Sequence, residues 1–194
     1  FIAHWRELSR QIGPEMADIL ATASDEQIAE LVQNIDKRNK KFKSNYVDIP
    51  LESLAEKRKE RLTKDIKQWI SRLTAEQKQA VSDWSDQIVP LAADGLRYRQ
   101  RVLTEFQNLL TKQRQAPDFK EAFVALLVNF DQMRTREYQQ KIDINTDLTL
   151  KLLIKIDRSL NATQRTYLLK RIGSMASDFD KLSCDPVQIT PSVE

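Results

Sequence analysis

Leu73-Thr74-Ala75-Glu76-Gln77 decides the fold. An apolar run ends at Leu73, Thr74 stands where a helix cap belongs, and Gln77 follows three residues later. A threonine there accepts a hydrogen bond from an amide of the first turn. A glutamine three residues on reaches back to the cap's own amide. Glu76 suits the positive end of the new helix. Two helices can then meet at a tight corner without glycine. Ser24-Asp25-Glu26-Gln27 and Asn161-Ala162-Thr163-Gln164 repeat the arrangement, the latter with Asn161 as cap and Thr163 in place of the acid. The three glutamines lie 50 and 87 residues apart, which is no regular solenoid period.

Composition agrees with that corner. The 194 residues include only 3 glycines and 6 prolines. A β-rich chain of this length would need many turn glycines, so their scarcity points to long helices and few turns. Hydrophobic residues at 41% and charged residues at 30% are the proportions of a folded, water-facing chain. The expected fold is all-α, an elongated or curved bundle of about seven to nine helices joined at capped corners. Residues 1–183 are expected to form one domain, with 90–95 or 115–118 as alternative seams, and 184–194 an irregular tail.

Apolar spacing sets the helices. Trp5, Leu8, Ile12, Met16, Ile19 and Leu20 form a first stripe, which Gly13-Pro14 is expected to interrupt. A second helix runs from Ser24 to about Tyr46 through Ile28, Leu31, Val32, Ile35 and Phe42. Ile49-Pro50 breaks the chain, and Leu51, Leu54, Leu62, Ile66, Trp69 and Ile70 face inward on the third. Thr74 opens the fourth, with Val81, Trp84 and Ile88 inward. Leu91 to Arg114 is a longer helix in which Gly95 costs about 1 kcal/mol against alanine. Pro117 starts another, carried by Phe119, Phe123, Leu126, Leu127, Phe130 and Tyr138 to about Ile142. Leu148 to Ile156 is apolar on several sides, which predicts a deeply buried helix, with a strand the competing reading. Asn161 opens the last helix, with Tyr167, Leu168, Ile172, Met175, Phe179 and Leu182 inward.

Candidate chemistry is sparse. One histidine, His4, and one cysteine, Cys184, offer neither a transition-metal set nor an intramolecular disulfide. Asp143, Asp147 and Asp157 flank one apolar segment but read as solvating carboxylates. No hydrolase elbow, phosphate loop or dinucleotide fingerprint occurs. The expectation is a non-enzyme with no cofactor or metal. The net charge of +3, from 31 basic and 28 acidic residues, gives little support to nucleic-acid binding. Two local features offer an interaction surface: the basic run Lys37, Arg38, Lys40 and Lys41, and the tryptophans Trp69 and Trp84 beside the Thr74 corner. The tryptophans read first as packing across that corner.

Several stretches resemble domain-of-unknown-function family 6279, a set of uncharacterised bacterial lipoproteins. They are the three corners, Asn34 to Phe42, Glu56 to Arg61 leading into Trp69-Ile70-Ser71-Arg72-Leu73-Thr74, and Gln164 to Ile172. That resemblance implies a body on the periplasmic side of the bacterial envelope. It would be anchored through a lipidated cysteine upstream of Phe1 and would bind a protein or another envelope component. It assigns no catalytic or binding residue. The corner also looks like that of periplasmic stress chaperones with leucine-threonine-x-x-glutamine repeats, which implies as an alternative a cradle for unfolded clients. A cytosolic adaptor or nucleic-acid-associated regulator is the third reading, resting on the two basic runs.

Overall fold

The computed structural model describes residues 2–183, with the side chains of Leu182 and Ser183 excepted. Phe1, Cys184 and the tail 184–194 lie outside the described residues. Within them the protein is all-α, with eight α-helices, one short 3-10 turn and no strand. The helices are α1 (Ile2–Thr22), α2 (Asp25–Tyr46), α3 (Leu51–Ile70), α4 (Ala75–Gln87), α5 (Ala92–Lys112), α6 (Phe119–Val128), α7 (Arg136–Arg158) and α8 (Ala162–Ser183). The 3-10 turn is Phe130–Met133.

Close packing divides the described chain into two compact units, where the sequence suggests one domain. The first takes the residues up to Leu54 and Val89–Thr146; the second takes Ala55–Ile88 and the residues from Asp147 on. Two unbroken helices, α3 and α7, change packing partners partway along. Periodicity marks a helix but not the point where its neighbours change, so the borders at 54 and 146 leave no mark in the sequence.

In the first unit α1 packs on α6 and α2 on α5. Its core gathers Ala17, Ile28, Leu109, Leu110, Phe119 and Phe123. Gly13-Pro14 does not interrupt α1, contrary to expectation. Gly13 is buried, and a Cβ there would lie 3.0 Å from Val124 Cγ2 of α6. The face turned inward is the small stripe Ser9, Gly13 and Ala17. The large stripe read as core is exposed at Leu8, Ile12, Met16 and Ile19. Small residues let the two backbones approach closely, and the dispersion attraction along that seam outweighs the hydrogen bond that Pro14 cannot donate. Trp5 Nε1 donates to the Leu127 carbonyl at 2.9 Å and Arg6 pairs with Asp131 at 3.0 Å, fixing α1 against the end of α6 and the 3-10 turn.

The helix expected from Pro117 to about Ile142 is in fact two. α6 stops at Val128, and α7 begins at Arg136, where Thr135 Oγ1 accepts from the Tyr138 amide at 3.1 Å. Residues Ile142 to Ile156 lie inside α7, so the strand reading is overturned. The segment is not deeply buried either. Leu152 and Ile156 are buried while Leu150, Leu153 and Ile154 are about half exposed.

The second unit has its own core of Ile66, Ile70, Leu73, Ala80, Val81, Leu152 and Ile156, with Leu62, Trp84, Leu160 and Leu168 packed against it. α3 ends at Ile70, and Ser71 just after it adopts φ 70°. This left-handed turn normally favours glycine; the serine takes it at a cost of about 1 kcal/mol. Arg58 crosses from α3 to α4, donating to the Ser85 carbonyl at 2.7 Å, while Ser85 Oγ donates to the Ala55 carbonyl at 2.8 Å. Of α8, only Gln164 and Leu168 reach the interior. Every described side chain from Leu169 to Lys181 is exposed. The inward assignment of Tyr167, Ile172, Met175 and Phe179 is therefore corrected: the stripe exists, but the helix continues past the core that would cover it.

Candidate functional site: a pocket, an uncovered helix and interlocked corners

The corner residues have the following geometry. Ser24 and Gln27 bond reciprocally, amide to side chain, at 2.9 and 3.3 Å, on an exposed surface. Thr74 and Gln77 do so at 2.9 and 3.2 Å, and Asn161 and Gln164 at 3.2 and 2.9 Å. The last two corners meet inside the second unit. Gln77 Nε2 donates to Gln164 Oε1 at 3.1 Å, and Gln164 Nε2 donates to Gln77 Oε1 at 2.9 Å. Gln164 Nε2 also donates to the Arg72 carbonyl at 2.6 Å, and Gln77 Nε2 to Ser159 Oγ at 3.0 Å. Both glutamines are buried. Each one caps its own helix and ties the other's corner, so the pair binds the α3–α4 link to the α7–α8 link.

Lys37, Arg38, Lys40 and Lys41 all lie exposed on the outer side of α2. Asp36 pairs with Lys40 at 2.8 Å, so the run carries its own acid. In the second unit Lys59 is matched by Glu56 at 3.1 Å. Trp69 is 39% exposed. Trp84 is half-buried against the core and donates to Thr149 Oγ1 at 3.2 Å; the two indoles form no ring contact with each other. His4 is exposed, and among the described residues no three of His, Cys, Asp and Glu gather to hold a metal. No helix among them is long and apolar enough to cross a membrane.

The structure also holds a pocket that no local sequence pattern marks. In the first unit a cavity of about 380 Å³ is lined by Ile35 and Asn39 of α2 and by Tyr98, Arg99, Val102, Leu103 and Phe106 of α5, with Phe130 and Tyr138 completing the wall. Its walls are held by aromatic contacts. Phe130 meets Trp5 edge-on with ring centres 5.8 Å apart, and Tyr98 lies 5.8 Å from Tyr138. Tyr98 donates to the Phe130 carbonyl at 3.2 Å, and burial raises its hydroxyl above the usual tyrosine pKa. Gly95 gives Tyr138 its place: a Cβ there would stand 3.2 Å from the tyrosine hydroxyl. Next to Gly95, buried Asp94 receives Lys141 at 2.9 Å and is also bonded by Arg97. The Lys141 hydrogen bond outweighs burial and holds the carboxyl below its ordinary range.

Asn39 is the polar exception in this wall. It is 5% exposed, and its Nδ2 has no hydrogen-bond partner. It sits in the middle of the basic run, on the opposite side of the helix from its charged neighbours. A lone asparagine among lysines reads as one more solvated residue. Its signal was the helical spacing that places it four residues after Ile35.

The family's sequence profile matches residues 2–139. The chain belongs to the family of unknown function DUF6279. No curated protein and no solved structure shows a significant match. All residues lining the pocket fall within the matched stretch, as do two of the three corners. The Asn161 corner and α8 follow it, including the Gln164 to Ile172 segment that also resembled the family.

Proposed function

We propose that this chain is a non-enzymatic binding body on the periplasmic side of the bacterial envelope, carried there by a lipid anchor and engaging another protein through α8. The observation supporting this reading is the uncovered stripe of that helix. Leu169 and Phe179 are 64% exposed, Ile172 49% and Met175 37%. Ile172, Met175 and Phe179 follow at steps of three and four beyond the packed Leu168, the spacing of a seam that pairs with a second apolar helix. Such a contiguous apolar surface is costly to leave in water and marks an interaction site.

The test is a photo-crosslinking residue placed at Ile172 or Met175, and at the polar control Lys170, in the product of the complete gene. The expected result is envelope fractionation with one discrete protein adduct from the two apolar positions and none from the control. Recovery of the protein in the cytosol overturns the placement. Absence of adducts at both apolar positions overturns the role of α8. The chaperone-like cradle is favoured as second reading by the interlocked Thr74 and Asn161 corners. It expects suppression of client aggregation, and full aggregation in its presence removes it.

A further inference from the structure

The charges beside the α8 stripe specify what covers it. Ile172, Met175 and Phe179 stand at the core positions of a helical seam that begins at half-buried Leu168. Arg171 and Asp178, one heptad apart, flank that seam along one edge, and Leu169 and Ala176 hold the other. Lys170, Asp180 and Lys181 fall on the outer side of the helix. Arg171 is exposed and has no ion pair among the described residues. Asp178, 69% exposed, is met by Lys181 at 3.7 Å, a loose contact on an open surface. One edge of the seam therefore carries a cation in its first half and an anion in its second. A copy of the same helix running the other way is its complement.

In the antiparallel register centred between Ile172 and Met175, Ile172 packs on the partner's Met175 and Phe179 on the partner's Leu168. Each contact occurs twice about a two-fold axis. Arg171 then faces the partner's Asp178 in both directions, and Leu169 covers the partner's Ala176. Sliding one copy by a heptad either way sets Arg171 against Arg171 or Asp178 against Asp178. A parallel pair sets Arg171 beside Ala176 and leaves the charges unmatched. Attraction and repulsion thus select one direction and one register. A membrane surface fits less well. Asp178 borders the stripe, where binding to anionic lipid favours basic residues.

We propose that the partner of α8 is a second copy of this chain, seated antiparallel with Arg171 of each copy paired to Asp178 of the other. The inference rests on the role proposed for α8 and gives that role its partner. The overlap from Leu168 to Phe179 is about 18 Å long. Such a contact is smaller than a standard interface of about 800 Å² per partner, so the dimer is reversible, with Kd on the order of 10–100 µM.

Sedimentation velocity of the purified chain from about 1 to about 500 µM tests it. The expected result is a monomer that converts to a dimer across that range. Arg171→Asp and Asp178→Arg each place like charges at both ends of the seam and weaken dimerisation at least about tenfold. An equimolar mixture of these two variants regains the parental affinity, because each supplies the charge that the other lacks. Ile172→Lys abolishes the dimer. All three residues are exposed, and circular dichroism verifies that the variants are folded. A chain that stays monomeric overturns the proposal. So does a dimer that the single charge changes leave intact, or a mixture that fails to recover. A photo-crosslinker at Ile172 separates this from the wider role of α8. An adduct of twice the chain's mass supports the second copy. An adduct with a different protein overturns the second copy and leaves the role of α8 standing, and no adduct at Ile172 or Met175 overturns both.

Discussion

Replacing Gln77 by alanine tests whether the two corners of the second unit are one structure. The side chain is 1% exposed. Its loss removes the bond to the Thr74 amide, the bonds to Ser159 and both bonds shared with Gln164. The Thr74 amide and one amide hydrogen of Gln164 are left without partners. At about 1–3 kcal/mol for each of the two unpaired buried donors, the cost is roughly 2–6 kcal/mol. Gln164→Ala, which strands the Asn161 amide and the Arg72 carbonyl, costs a similar amount. Once either glutamine is gone the shared pair is already lost, so the double variant should cost less than the two singles added, by about 1–3 kcal/mol. Gln27→Ala removes the same local box from an exposed corner and should cost only about 0.5–1 kcal/mol. Urea unfolding followed by tryptophan fluorescence reads the second unit in a Trp5→Phe background, where Trp69 and Trp84 lie, and reads the first unit, for Gln27→Ala, through Trp5 in a Trp69→Phe, Trp84→Phe background. Singles that add within about 0.5 kcal/mol, or a Gln77→Ala cost no larger than that of Gln27→Ala, would refute the interlock.

Three further outcomes follow from the packing. Gly13→Ala should destabilise by about 1 kcal/mol on chemical denaturation, because overpacking against Val124 at 3.0 Å exceeds the helix-propensity gain. The same change at Gly173, with no atom within 4 Å of the new methyl, should stabilise by about 1 kcal/mol. Asn39→Leu should raise the melting temperature, by the equivalent of about 1–3 kcal/mol, as it replaces a buried carboxamide whose Nδ2 is unpaired with an apolar branch of similar shape. Asp94 has its carboxyl pKa lowered by the Lys141 hydrogen bond, so its contribution is present above about pH 4 and lost as pH falls through the depressed folded value. The acid limb of urea midpoint against pH should therefore be shallower in Asp94→Asn than in the parent chain.

The errors in the sequence reading have a common physical origin. Gly13 and Pro14 carry strong local signals for a break, yet α1 is continuous because its small stripe finds α6. On α8 the spacing of Ile172, Met175 and Phe179 is that of a buried stripe, and periodicity reports amphipathicity without reporting what covers it. The junction at residues 129–135 was obscured by apolar residues on both sides of it, although Thr135 offered a cap. Asn39 was hidden by its neighbours: four basic residues around one asparagine describe the outer face of a helix, and the inner face depends on where α5 packs.

By itself the sequence determined the all-helical class and the positions of most helix ends. Capping chemistry acts within three or four residues, so Leu73-Thr74-Ala75-Glu76-Gln77 contains all the atoms of its own corner. Only the tertiary structure decided that Gln77 would find Gln164, 87 residues away, while Gln27 stays on an exposed surface. It likewise decided that Asn39 would face a cavity and that α8 would outrun its core. Each of these depends on which helix faces which, and that is set by packing between segments distant along the chain, beyond the reach of any local hydrogen bond or apolar spacing.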